Sequence, residues 1–103
     1  MERIEKLREF LKNSPGDSFL QHALALEYIK VGDDHSAREL FEELLSREPS
    51  YIGSYYHLAK LFERSGDNAL AIKCYEKGME EARKIGEGHA YNELKSAYEE
   101  LIY

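Results

Sequence analysis

Apolar residues recur along this chain in steps of three and four, with charged residues filling the gaps. In the opening stretch Ile4, Leu7, Phe10 and Leu11 fall on one helical face, which predicts an amphipathic helix over 1–14. Leu24 and Tyr28 are four apart, Ala37 and Phe41 are four apart, and the same two steps return at Leu58 and Phe62 and at Ala71 and Tyr75. A step of four keeps a pair on one side of a helix, so each stretch holds two helices. Between the two stand Gly32-Asp33 in the first stretch and Gly66-Asp67 in the second. Glycine takes positive φ at a helix end, and aspartate accepts amide hydrogen bonds at the next helix start. The pattern predicts two tight helical hairpins.

The hairpins are copies of one another. Residues 18–51 laid over 52–85 at an offset of 34 match Leu24 with Leu58, Ala25 with Ala59, Gly32 with Gly66, Asp33 with Asp67, Ala37 with Ala71 and Glu42 with Glu76. Tyr28 meets Phe62 and Phe41 meets Tyr75. Pro15 and Pro49 keep the same spacing and stop a helix before each repeat. Where a third proline would stand the chain has Arg83, so the second helix of the second repeat should run on toward Gly86. Leu94 and Tyr98 recover the step of four at an offset of 36, which predicts a closing helix within 88–103. The expectation is an all-α single domain over 1–103, a solenoid of antiparallel helical hairpins with about five helices: an opening helix 1–14, repeats 18–51 and 52–85, and a cap 88–103. A lone hairpin has apolar flanks it cannot bury, so the copies must stack. The alanines let helices approach and the four aromatics fill the space, each contributing about 1.5–3 kcal/mol when buried.

Charge narrows the partners. With 14 Lys plus Arg against 20 Asp plus Glu the net charge is −6, which repels phosphate backbones and anionic headgroups, so neither nucleic acid nor a membrane is an expected partner. The first residues carry charge every few positions and lack the apolar run of a signal peptide, and a cytoplasmic location is expected. The single cysteine, Cys74, forms no internal disulfide and reads as a packing residue.

The pattern resembles the tetratricopeptide repeat family, whose unit of 34 residues has a Leu, a small residue and an aromatic in its first helix and an Ala, an aromatic and a closing Pro in its second. Leu24, Ala25, Tyr28, Gly32, Ala37, Phe41 and Pro49 carry it in the first repeat; Tyr55, Leu58, Ala59, Phe62, Gly66, Ala71 and Tyr75 carry it in the second. Gln21 stands opposite Tyr55, Gly78 opposite Leu44, and the second repeat has no closing proline. The resemblance implies a right-handed superhelix and a protein-binding module whose first helices line a concave groove for a peptide or helix of another protein. The groove positions it implies are Phe19, His22, Leu26, Ile29 and Lys30 in the first repeat, Tyr56, Lys60, Glu63 and Arg64 in the second, and Asn92 and Ser96 in the closing helix. Members that grip the C-terminal carboxylate of heat-shock chaperones use Lys and Asn where this chain has His22 and Leu26, so that clamp is not expected.

No residue set announces chemistry. His22, His35, His57 and His89 show no metal-ligand spacing, and His22 and His57 read as groove lining. Glu76, Glu80 and Glu81 interleave with Lys73, Lys77, Arg83 and Lys84 at helical spacing and read as an exposed charged face. Gly86-Glu87-Gly88 lacks the strand a phosphate loop needs. No cofactor and no enzyme activity are expected. The alternative to an adaptor is a self-assembling unit using the ends of the stack, where Leu101, Ile102 and Tyr103 stand; polar residues on the closing helix favour a monomer or weak homodimer.

Overall fold

A computed structural model of the chain describes residues 2–103. They form six helices and no strand: α1 Glu2–Asn13, α2 Ser18–Lys30, α3 Asp34–Arg47, α4 Gly53–Arg64, α5 Asn68–Lys84 and α6 Gly88–Ile102. The expected count of about five is corrected to six, because the opening and closing helices each add one to the four of the two hairpins.

The turns follow from glycine. Gly32 and Gly66 have φ of +84° and +82°, and the amides of Asp33 and Asp67 reach back to the carbonyls of Tyr28 and Phe62 at 2.8 and 2.9 Å. This is a Schellman closure of the first helix, and it starts the second at once. Asp33 Oδ1 accepts from the Ser36 amide and Asp67 Oδ1 from the Leu70 amide, each at 3.1 Å. The same closure recurs at Gly86, where the Glu87 amide donates to the Ala82 carbonyl at 2.9 Å. Glu87 makes no side-chain cap, since its longer side chain does not fold back on the amides as aspartate does. Without a proline at 83, α5 runs to 17 residues against 14 for α3 and turns directly into α6.

The described residues cluster into two compact units, one ending at Glu48 and the other beginning at Pro49. In the first, α2 packs between α1 and α3. Ile4, Leu7 and Leu24 form a buried cluster against which Leu11, Leu20, Tyr28 and Leu40 pack. In the second, α5 packs on both α4 and α6, and α4 also touches α6. Ala25, Ala37, Ala59 and Ala71 are all 0% exposed, as the close approach of paired helices demands. Phe41, Phe62 and Tyr75 are buried, while Tyr28 is only half-buried, its ring lying at the margin of the α1–α2 cluster.

Polar atoms secure the first unit where an apolar pair secures the second. Gln21 is buried; its Oε1 accepts from Arg47 Nη2 and its Nε2 donates to Glu43 Oε1 at 3.5 Å. Arg47 Nη1 also donates to the Gly16 carbonyl at 3.0 Å. At the equivalent place in the second unit, Tyr55 packs its ring base on Gly78 and donates its hydroxyl to the Pro49 carbonyl at 2.6 Å. Glu81 corrects the expectation of a wholly exposed charged face, for it is 7% exposed. It is held by Lys77 at 2.9 Å and Lys84 at 3.3 Å, so its burial leaves no unpaired charge.

Candidate functional site

In the second unit an open cleft of about 500 Å³ lies between α4 and α6. Ile52, Tyr56, His57 and Lys60 form one wall, spaced along α4 and the residue before it at steps that keep them on one face. Ala90, Glu93, Leu94, Ser96, Ala97 and Glu100 form the other, from α6. Apolar side chains make the floor and charged ones stand at the rim.

Lys60 is held from two sides. Its ammonium lies 5.5 Å from the Tyr56 ring centroid and 3.5 Å from Glu63 Oε2. That same carboxylate oxygen accepts a short hydrogen bond from the hydroxyl of buried Tyr75. Burial first, and then the bond to Glu63, push the Tyr75 phenol well above its usual range, so it remains the donor. The chain Tyr56, Lys60, Glu63, Tyr75 thus ties an exposed aromatic ring to the core. His57 stands beside it, its ring edge-on to Tyr56 at 5.7 Å, and burial lowers its pKa from the ordinary histidine value. A histidine so shifted is mostly neutral at pH 7.

Of the groove positions named from sequence, Tyr56, His57, Lys60 and Ser96 come together in this cleft. Glu63 sits behind it as the partner of Lys60. Arg64 and Asn92 are exposed outside its lining. On α2, Phe19 is 68% exposed, Leu26 and Ile29 are half-buried, and His22 turns its ring edge onto Phe41 at 5.7 Å. Lys30 pairs with Glu27 at 3.2 Å, and Glu27 in turn holds Arg3 of α1 at 3.3 Å. The Lys30 hydrogen bond, set against partial desolvation and aided by Arg3, keeps the Glu27 carboxyl below the usual carboxylate range. Lys30 therefore serves the α1–α2 junction.

Sequence reasoning missed Glu93 and Glu100. They sit three before and four after Ser96, the steps that share a helical face, so Ser96 itself was the signal. Asn92, four before Ser96, lies on its other side, about a quarter turn around the helix from Glu93 and Glu100, and outside the lining.

The tetratricopeptide repeat family model matches residues 20–51 and 52–85, which together make up more than half the chain. The chain belongs to the tetratricopeptide repeat family. Two solved structures of a tetratricopeptide repeat domain protein from Salinibacter ruber are 41% identical to it. The crystal structure covers 82% of this chain and 94% of its own, with a TM-score of 0.79. The solution structure covers 84% and 88%, with a TM-score of 0.81. A protein from Bordetella parapertussis, 23% identical, shares the fold over 96% of this chain and 86% of its own at a TM-score of 0.82. Tetratricopeptide repeats are in general protein-protein interaction modules and not catalysts. Among the described residues no helix is long and apolar enough to cross a membrane.

Proposed function

We propose that this tetratricopeptide repeat protein is a non-enzymatic adaptor that captures a peptide or helix of another protein, with the α4–α6 cleft as its seat. The observation that carries this is the cleft itself, where an exposed Tyr56 and a pre-placed Lys60 stand over an apolar floor. An amphipathic ring held at low entropic cost, beside a concave apolar strip, is what a partner side chain needs for desolvated contact. The α2 positions Phe19, Leu26 and Ile29 offer further apolar area on the first repeat. The test is affinity capture from a cell lysate, comparing wild type with a Tyr56→Ala, Lys60→Ala variant at equal folded concentration. Loss of a retained protein with the variant supports the adaptor. Retention unchanged by the variant moves the site off the cleft, and retention only of further copies of the chain favours self-assembly.

A further inference from the structure

Charge around the α4–α6 cleft is one-sided, and the inference drawn from it rests on the proposed use of that cleft as a binding seat. Lys60 is the lysine or arginine in the lining, and Glu63 already neutralises it at 3.5 Å. Facing it, α6 presents Glu93 and Glu100. Glu93 has the imidazole of exposed His89 beside it at 3.6 Å, and Glu100 forms no ion pair among the described residues. Residues seven apart on an α-helix lie about 10 Å apart along its axis. The two carboxylates therefore stand toward opposite ends of the apolar strip made by Leu94 and Ala97.

We propose that the cleft takes a basic segment of a partner protein, seating an apolar side chain on the Ile52, Leu94 and Ala97 floor and Lys or Arg side chains against Glu93 and Glu100. An acidic segment meets the opposite situation. It would face the carboxylates of Glu93 and Glu100 and have to take Lys60 away from Glu63, while the net charge of −6 repels it at longer range. Arginine fits better than lysine, because its planar fork gives two hydrogen bonds to one carboxylate. The Tyr56 ring face is already engaged by Lys60, so the basic head belongs on α6 and its aliphatic stem along the floor.

The experiment is selection of a random displayed peptide library on the full chain, followed by affinity measurement of the enriched peptides on variants. The expected peptides carry net positive charge. Glu93→Gln with Glu100→Gln should weaken them about tenfold, the effect of two partly exposed ion pairs. Glu80→Gln with Glu87→Gln, the same charge change in the same unit but outside the cleft lining, should shift affinity less than about twofold. Neutral or acidic peptides that depend on Tyr56 but ignore the Glu93 and Glu100 change would overturn the basic partner and leave the cleft as the seat. Basic peptides weakened equally by both glutamine pairs would overturn it too, since binding would then track net charge. Peptides indifferent to Tyr56→Ala, or no enrichment at all, would overturn the cleft along with its proposed occupant.

Discussion

Alanine in place of Gly78 should stabilise an isolated helix by about 1 kcal/mol. In this protein it should do the reverse. A Cβ on Gly78 would stand 2.7 Å from Tyr55 Cβ, 2.9 Å from Tyr55 Cγ and 3.0 Å from Leu94 Cδ1. Favourable carbon contacts lie at about 3.5–4.0 Å. Leu94 is able to swing its methyl aside, but Tyr55 Cβ is fixed to the α4 backbone, so α4 and α5 must part. Overpacking costs about 1–3 kcal/mol. With the clash on an atom that has no rotamer escape, the upper end applies, and about 3 less the propensity gain of about 1 leaves a net loss of about 2 kcal/mol. For a domain of this size that lowers Tm by roughly 8–16 °C. Thermal and urea denaturation followed by circular dichroism read it directly. The double change Tyr55→Gln, Gly78→Leu installs the pair that the first repeat has at Gln21 and Leu44, and it should cost clearly less than the sum of its two single changes. A Gly78→Ala protein as stable as wild type would refute the close α4–α5 approach.

Ala71→Glu places a carboxylate at a fully buried site and should abolish the cooperative helical melt, so an unchanged circular dichroism transition would exclude the hairpin packing. Arg47→Ala leaves Gln21 Oε1 buried without its donor and should cost about 1–3 kcal/mol in urea unfolding, against near neutrality if Gln21 finds water instead. Glu81 has its pKa lowered from 4.5, by the Lys77 hydrogen bond first and Lys84 after it, in opposition to desolvation. Its pairing therefore stabilises fully above pH 4.5 and is lost as pH falls through the lower folded value, so Glu81→Gln should flatten the acid limb of stability; identical limbs would count against the pairing. His57 is lowered from 6.5 by burial, so its stabilising contribution is complete above pH 6.5 and is lost below it as the unfolded state takes up the proton first. An NMR titration should place its midpoint under 6.5, and a midpoint at or above that would contradict the burial.

The hairpins were legible because their signals are local and doubled. Gly32 and Gly66 mark turns that only a positive φ closes, and Asp33 and Asp67 cap the helices that follow. The alanines at 25, 37, 59 and 71 were legible as contact points because a small residue repeated at a fixed period has no other use. Glu81 was not, since its spacing among lysines is that of a solvated face, and only the packing of α5 against two helices at once turns it inward. The end of α5 at Gly86 was legible, but its closure and cap were not. With Glu87 in place of aspartate the capping half of the signature is absent, although the backbone closure is the same as at Gly32. In the candidate site, Tyr56 and Lys60 followed from the family's groove positions. Glu93 and Glu100 were legible only as sharing a helical face with Ser96; that this face turns toward α4 rests on the rotation of α6, which depends on a link lying outside the repeat period.

That rotation leads back to Gly78. Its missing side chain admits the Tyr55 ring base from α4 and the Leu94 methyl from α6 to the same point on α5. Leu94 is also part of the cleft floor, and Ala97, one turn further, is its neighbour there. A larger residue at 78 would turn the Leu94 methyl into the cleft floor and push Tyr55 away, and Tyr56 and Lys60 would shift with the helix that carries them. Gly78, one of the positions at which the second repeat departs from the first, is therefore where α4 and α6 both meet α5, and it bears on the width of the cleft. Stability and recognition should be coupled at this position: Gly78→Ala should weaken binding in the cleft by more than its unfolded fraction explains. The Tyr75 hydroxyl acts on the opposite wall in the same sense, fixing Glu63 and through it Lys60 and Tyr56. Each wall of the cleft is thus braced by a residue of α5 that lies outside its lining.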